Sequence, residues 1–280
     1  KTIPLTATGW TFHPQRRNCL ILDKWSFTQS PSAPADRIDL VRDERVVTPA
    51  PVGKLGIGTF PATVYYTAVV SVEGQPGHMG LVLEKSSIMG DYEITINGVP
   101  CGPGEPVREY DCNNLEIPIT LPRDDRRFYR AGELTMQVKV AVQDATQGLL
   151  EPLRLFGDFA VQLNQGEALG AVLTPAVDSI APGSWTHQGY PHFAGEGLYE
   201  QTLCLPADIV GKRCYLAFSS GGDAAEVTVN GRQAGRAVSE PFRVEVTGLL
   251  QPGDNRIGIA IANPLQNLLY GLQIPAGMLD

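Results

Sequence analysis

The chain states one pattern twice. Asp91-Tyr92-Glu93-Ile94-Thr95-Ile96-Asn97-Gly98 returns as Ala224-Ala225-Glu226-Val227-Thr228-Val229-Asn230-Gly231, and the two asparagines stand 133 positions apart (230 − 97). Each copy is an alternating strand that runs into Asn-Gly, the strongest short-range signal for a β-hairpin. The same offset holds upstream, where Tyr66-Thr67-Ala68-Val69-Val70 lies over Tyr199-Glu200-Gln201-Thr202-Leu203 (199 − 66 = 133). Downstream the register shifts. Gly132-Glu133-Leu134-Thr135-Met136-Gln137-Val138 best matches Gly253-Asp254-Asn255-Arg256-Ile257-Gly258-Ile259, at an offset of 121 (253 − 132). The pattern predicts two copies of one domain, the first carrying about twelve extra residues in a surface loop between its hairpin and its late strand. A two-residue type I′ turn needs φ > 0 at both central positions, which Asn tolerates and Gly prefers. Ile94 and Ile96, and likewise Val227 and Val229, then face one side of their strand, with Thr95 and Thr228 on the other.

A length of 280 residues suits two such domains, each able to bury its own core. Gly 30 and Pro 22 make up nearly a fifth of the chain, which with short β-rich runs means many turns and few long helices. The net charge of −8, with Lys and Arg scattered, leaves no electrostatic footprint for a phosphate backbone or an anionic membrane, so neither nucleic acid nor membrane is an expected partner. The run Ile257 to Leu279 has the length of a membrane span but is too polar and too broken by Pro264 and Pro275 to be one. Cys19, Cys101, Cys112, Cys204 and Cys214 are odd in number and form no C-x-x-C pair, so they read as free thiols rather than as a zinc site or a disulfide framework. No cofactor is expected. The chain opens at Lys1 in mid-pattern, as a piece of something longer would.

Strands are expected almost everywhere. Residues 1–28 read as a hairpin, with Trp10-Thr11-Phe12 as one arm and Cys19-Leu20-Ile21-Leu22-Asp23 as the other, a candidate remnant of an upstream domain. Residues 29–163 read as a first β-sandwich. It is entered through a Pro- and Gly-rich connector over 29–61 that holds the apolar Ile38-Asp39-Leu40-Val41, and its strands fall at 64–72, 79–84, 91–97, 115–121, 134–143 and 152–162. Residues 164–280 read as a second sandwich, with a connector to Pro182 and strands at 198–205, 213–219, 224–230, 242–247 and 255–262. Short alternating strands separated by turn residues argue for an all-β chain, two tandem antiparallel sandwiches of jelly-roll type.

Motifs for chemistry are thin. Gly53-Lys54-Leu55-Gly56-Ile57-Gly58 lacks the spacing of a phosphate loop and no helix pattern follows it. Asp124-Asp125-Arg126-Arg127 reads as a solvated loop. No G-x-S-x-G elbow is present, and no Asp or Glu sits in a recognisable catalytic context. The chain is not expected to be an enzyme on its own. Of the histidines, His13 and His78 stand alone, while His187 and His192 are close together without further metal ligands nearby.

One loop stands out: Gly183-Ser184-Trp185-Thr186-His187-Gln188-Gly189-Tyr190-Pro191-His192-Phe193-Ala194-Gly195. Aromatic faces beside imidazole and amide groups suit a sugar, whose C–H face stacks on rings while its hydroxyls take hydrogen bonds. Trp185, His187, Tyr190, His192 and Phe193 are therefore the carbohydrate-binding candidates. The competing reading is that the aromatics plug the end of the sandwich. Packing is favoured for Trp185, and ligand contact for Tyr190 and His192.

The same residues resemble a family. Ser184-Trp185 with Gln188-Gly189-Tyr190-Pro191, then Ala194-Gly195, Tyr199, Glu226-Val227-Thr228-Val229-Asn230-Gly231 and Gly253-Asp254-Asn255-Arg256-Ile257, look like the sugar-binding jelly-roll domain of glycoside hydrolase family 2 and its relatives, which has the galactose-binding-like fold. Copy one is similar in its Asn97-Gly98 hairpin and in Leu155-Phe156-Gly157-Asp158-Phe159, but its counterpart of the Gln-Gly-Tyr-Pro loop, around 52–62, lacks the motif. Asn18-Cys19-Leu20-Ile21-Leu22-Asp23 resembles the stretch that joins the catalytic barrel to the carboxy-terminal sandwiches in rhamnosidase-like enzymes. The resemblance implies a non-catalytic, carboxy-terminal part of a bacterial glycoside hydrolase, with the upstream catalytic domain of the same polypeptide as partner and carbohydrate as a weak ligand. A free-standing carbohydrate-binding module and an adhesion protein remain open beside it.

Overall fold

The turn residues take the conformation their chemistry allows. Asn97 and Asn230 have φ of 50° and 52°, and Gly98 and Gly231 both have 75°. This is the pair of positive angles that a type I′ turn demands. In the computed structural model of the chain, which defines residues 5, 8–29, 45–108, 113–119, 132–164, 167–209, 211–219 and 224–263, each turn closes a hairpin. Asp91–Ile96 pairs with Val99–Pro100, and Ala224–Val229 with Arg232–Ala237. The asparagines then tie each hairpin to a third strand. Asn97 Oδ1 accepts the Thr135 N–H at 2.8 Å while its own N–H donates to the Thr135 carbonyl at 2.8 Å. Asn230 makes the same two bonds with Arg256, at 3.0 and 2.8 Å.

Strand register follows the repeat. In the first copy Ile94 and Ile96 lie opposite Val138 and Met136, which lie opposite Tyr66 and Ala68. In the second Val227 and Val229 lie opposite Ile259 and Ile257, which lie opposite Tyr199 and Gln201. All six positions keep the offsets of 133 and 121, so the two copies share one three-strand frame. A one-residue slip would turn Ile94 and Val227 out of their cores, which is why this register is so firmly held.

Among the described residues the chain divides into two compact units, one made of residues up to Asn18 together with 177–263 and the other of Cys19–Ala176. Each has its own core. The Cys19–Ala176 unit buries Trp25, Phe27, Tyr66, Leu81, Leu134 and Phe159 among others, between an eight-stranded sheet that contains the repeated frame and a five-stranded sheet. The other unit buries Phe12, Trp185, Tyr190, Phe193, Val227 and Ile257 against a five-stranded sheet of order Thr11–Pro14, Gly195–Leu205, Gly253–Asn263, Ala224–Val229, Arg232–Ala237. Each fully buried side chain of this size contributes about 1.5–3 kcal/mol. The fold is nearly all-β, its strand pairs antiparallel but for one, and among the described residues the single helical element is the 3₁₀ turn Ala207–Ile209. No described helix is long and apolar enough to cross a membrane.

Three expectations are corrected. The amino-terminal hairpin does not form: Thr11–Pro14 pairs with Gly195–Leu205, whereas Asn18–Leu22 joins the five-stranded sheet of the other unit beside Leu153–Gly157. The connector expected after residue 164 is instead a strand, Glu167–Pro175, antiparallel to Phe159–Asn164 and parallel to Ala62–Val72 at Val172–Ser71 and Leu173–Val72. The strand expected over 152–162 is two, Leu153–Gly157 and Phe159–Asn164, in different sheets. The apolar patch at 38–41, the charged run at 124–127 and Cys112 lie outside the described residues. Cys101, Cys204 and Cys214 are free thiols.

Candidate functional site

The loop from Gly183 to Gly195 folds inward. Its aromatic rings interlock around Phe12, whose centroid lies 5.3 Å from Trp185, 5.2 Å from Tyr190 and 5.1 Å from Tyr199. Phe193 completes the cluster at 5.5 Å from Trp185 and 5.7 Å from Tyr190, both edge to face. Such contacts add to the area term of burial. Gly197, on the neighbouring strand, must be glycine, because a Cβ there would collide with the rings of Phe12 and Trp185.

The polar groups of the loop are used internally. Trp185 Nε1 donates to the Tyr199 hydroxyl at 2.7 Å, and that hydroxyl donates to the Ala181 carbonyl at 3.4 Å. The Gln188 amide spans the loop, donating to Ala181 O and Ser184 O and accepting the Ala181 N–H. Asn18 Nδ2 donates to Gly189 O at 2.7 Å and Asn263 Nδ2 to Phe193 O at 3.1 Å. Burial pushes the Tyr190 hydroxyl up to about 12, with Asp178 and Tyr199 adding to it, and pushes the His192 imidazole down to about 4, so that His192 is neutral near pH 7.

Of the five candidates, Trp185, Tyr190, His192 and Phe193 are buried, Tyr190 at 1% and Phe193 at 0% exposure, and His187 alone is exposed. Tyr190 and His192, expected as ligand contacts, are thus parts of the core. Gln188-Gly189-Tyr190-Pro191 works as a closure: its amide and aromatic members seal one end of the unit. Sequence reasoning passed over Asn18 and Asn263, which clamp the loop from distant strands; nothing local in their surroundings marks them. Asn255 is likewise fully buried, bonded to Gln251, Gly253 and Asn230, which explains the Asn of the Gly253-Asp254-Asn255-Arg256 run.

Catalytic chemistry finds little to build on. Glycoside hydrolysis asks for a carboxyl with a raised pKa facing a second one. Asp144 is held below the usual carboxylate range by hydrogen bonds from Thr146, and Glu245 by Arg213 and Thr247, the direction opposite to that of a general acid. Glu93, Glu200 and Glu226 are ion-paired to Lys139, Arg256 and Arg236. Among the described residues no group of three or more His, Cys, Asp or Glu could hold a metal ion.

No family model matches the chain. Over 93 residues it is 29% identical to a putative beta-glucuronidase from Formosa agariphila, a match that covers 31% of this chain and 8% of that protein. Among solved structures it is similar to a rhamnosidase from Novosphingobium sp. PP1Y (15% identity, 91% of this chain, 22% of that one, TM-score 0.30). It is also similar to a glycosyl hydrolase family 2 member from Bacteroides cellulosilyticus (12%, 88% and 32%, 0.36) and to a Faecalibacterium prausnitzii beta-glucuronidase (13%, 84% and 42%, 0.36). These relatives are glycoside hydrolases, and the chain spans a small part of each.

Proposed function

We propose that the chain is a non-catalytic, carboxy-terminal β-sandwich region of a bacterial glycoside hydrolase, two jelly-roll sandwiches of the galactose-binding-like type that support or dock the catalytic domain of the same polypeptide. The observation that carries this reading is the sequence likeness to a putative beta-glucuronidase over a stretch amounting to 8% of that protein. The repeated frame and the sealed Trp185 loop support it, since residues are spent there on a rigid body rather than on an open cleft for chemistry. The ion-paired carboxylates support it as well.

The coding sequence upstream of Lys1 tests it. A barrel domain bearing paired carboxylates is expected there, and the 280-residue chain by itself should turn over no aryl glycoside. A start codon at Lys1, or turnover that is abolished by replacing one of this chain's own carboxylates, contradicts the reading.

A further inference from the structure

The two Asn-Gly turns share their backbone and differ at one side-chain atom. Asn97 and Asn230 are both exposed, and each binds the same position of the neighbouring strand, Thr135 or Arg256, through its Oδ1 and its N–H. Their amide nitrogens part company. Asn230 Nδ2 donates to the Leu249 carbonyl at 3.1 Å and to Asn255 Oδ1 at 3.0 Å. Asn255 is itself fixed, being fully buried, with Nδ2 donating to Gln251 O and Gly253 O and Oδ1 accepting the Gln251 N–H. In the first copy the offset of 121 puts Leu134, also fully buried, where the second has Asn255 (255 − 121 = 134), and a leucine side chain offers no acceptor. Asn97 Nδ2 accordingly has no hydrogen-bond partner among the described residues.

That nitrogen is the leaving group in the reaction to which an Asn-Gly pair is prone. The backbone nitrogen of the glycine attacks the asparagine Cγ, and the missing Cβ of glycine leaves the approach open. A bond forms between the Gly98 nitrogen and Asn97 Cγ while the bond from Cγ to Nδ2 breaks. Nδ2 departs as ammonia, with the proton that the Gly98 nitrogen gives up, and a five-membered cyclic imide remains. Water then adds its hydroxyl to one of the two imide carbonyl carbons and returns a proton to the ring nitrogen as that carbon releases it. Opening at Cγ leaves aspartate at position 97; opening at the backbone carbonyl carbon leaves isoaspartate, with the chain running through Cγ. Nothing is oxidised or reduced, and water is the co-reactant.

We propose that Asn97 is a site of spontaneous deamidation and that Asn230, in the same dipeptide and the same turn, is guarded from it. Exposure does not separate the two, and the bonds to Thr135 and Arg256 must break alike in both. At Asn230 the bonds to Leu249 and Asn255 must break as well before the ring can close. The products differ in the same sense. A carboxylate at position 97 still accepts the Thr135 N–H, now as a charge-assisted bond, and aspartate tolerates the positive φ there. A carboxylate at position 230 sets oxygen against the Leu249 carbonyl and Asn255 Oδ1, where the amide donated. The first hairpin is open to a change that adds a negative charge at its tip, and the second is closed to it. The inference stands apart from the accessory reading, and the two can fail separately.

The test is to age the full chain in mildly alkaline buffer, digest it with pepsin in acid, and follow the two Asn-Gly peptides by mass spectrometry, where deamidation adds one mass unit. The two extra hydrogen bonds should slow the reaction at Asn230 about tenfold relative to Asn97. The Asn97 peptide should divide into aspartate and isoaspartate forms that separate on chromatography. In denaturant, where the turns are gone, the two rates should come together. Asn97→Asp should leave the melting temperature unchanged, whereas Asn230→Asp should lower it by several degrees. Equal rates in the folded chain, faster reaction at Asn230, no mass gain at Asn97, a rate difference that persists in denaturant, or equal costs of the two substitutions would overturn the proposal. None of those results touches the accessory reading, which the upstream coding sequence decides.

Discussion

The two units carry the same three-strand frame and close it in different ways. In the Cys19–Ala176 unit the opposing layer is a five-stranded sheet that presents Leu81, Leu83, Ile117, Leu153 and Leu155 to the frame. In the unit built from 177–263 the matching layer is a ribbon of two three-residue strands, contributing Leu216 and Val244, and an aromatic loop does the rest. The difference shows at one repeated tyrosine. Tyr199 is hydrogen-bonded to Trp185, whereas Tyr66, at the equivalent position, is buried beside Gly148 and Val52 with its hydroxyl lacking a hydrogen bond of ordinary geometry. Burial pushes Tyr66 up to about 12, which the nearby Leu149 backbone offsets only in part. A frame of strands can thus be copied intact while the residues that seal it are free to differ.

Removing the seal should have the largest effect. Trp185→Ala deletes a ring that touches Phe12 and Phe193 and removes the N–H that the Tyr199 hydroxyl accepts, so denaturant melts should show a loss of about 3–5 kcal/mol. A loss under about 1 kcal/mol would mean that the loop is not part of the core. Acid should act on the same unit. His192 titrates near 4 in the folded state against an ordinary 6.5, so the unfolded chain takes up the proton first. Stability is complete above about pH 6.5, falls as the pH drops, and has lost at most about 3 kcal/mol below pH 4. His192→Gln should flatten the profile in that window, and an unchanged slope between pH 6.5 and 4 would refute the assignment. Smaller still is the tyrosine pair. Tyr199→Phe strips Trp185 Nε1 of its acceptor and should cost about 1–3 kcal/mol, while Tyr66→Phe removes a buried hydroxyl that lacks a hydrogen bond of ordinary geometry and should cost about zero. Equal costs at the two sites would erase the contrast between the units.

Much of this architecture was legible in the sequence, and the failures have physical causes. Ile94-Thr95-Ile96-Asn97-Gly98 and its copy could be read because alternation, turn chemistry and a constant offset all point the same way. The strand Met79–Glu84 was read to the residue. Trp10-Thr11-Phe12 was paired with Cys19-Leu20-Ile21 because neighbours in sequence usually pair, but Phe12 belongs to the aromatic cluster and its N–H donates to Asp178 O, far along the chain. Glu167–Pro175 was missed because Ala, Leu and Gly alternate without polar contrast. The Trp185 loop could not be decided, since a plug and a platform need the same residues; what separates them is Asn18, Asn263 and Phe12 arriving from elsewhere in the chain.

The central claim is that two copies of one frame close two separate cores, and amide hydrogen exchange after Gly231→Val tests it most directly. Valine at φ 75° should strain the second turn by about 1–2 kcal/mol, because its Cβ crowds the following carbonyl. The account predicts that protection falls about tenfold in Gly195–Leu205, Ala224–Val229 and Gly253–Asn263 and stays unchanged in Ala62–Val72 and Glu133–Val142. An equal fall in both sets of strands would contradict it, showing that the two copies open as one core.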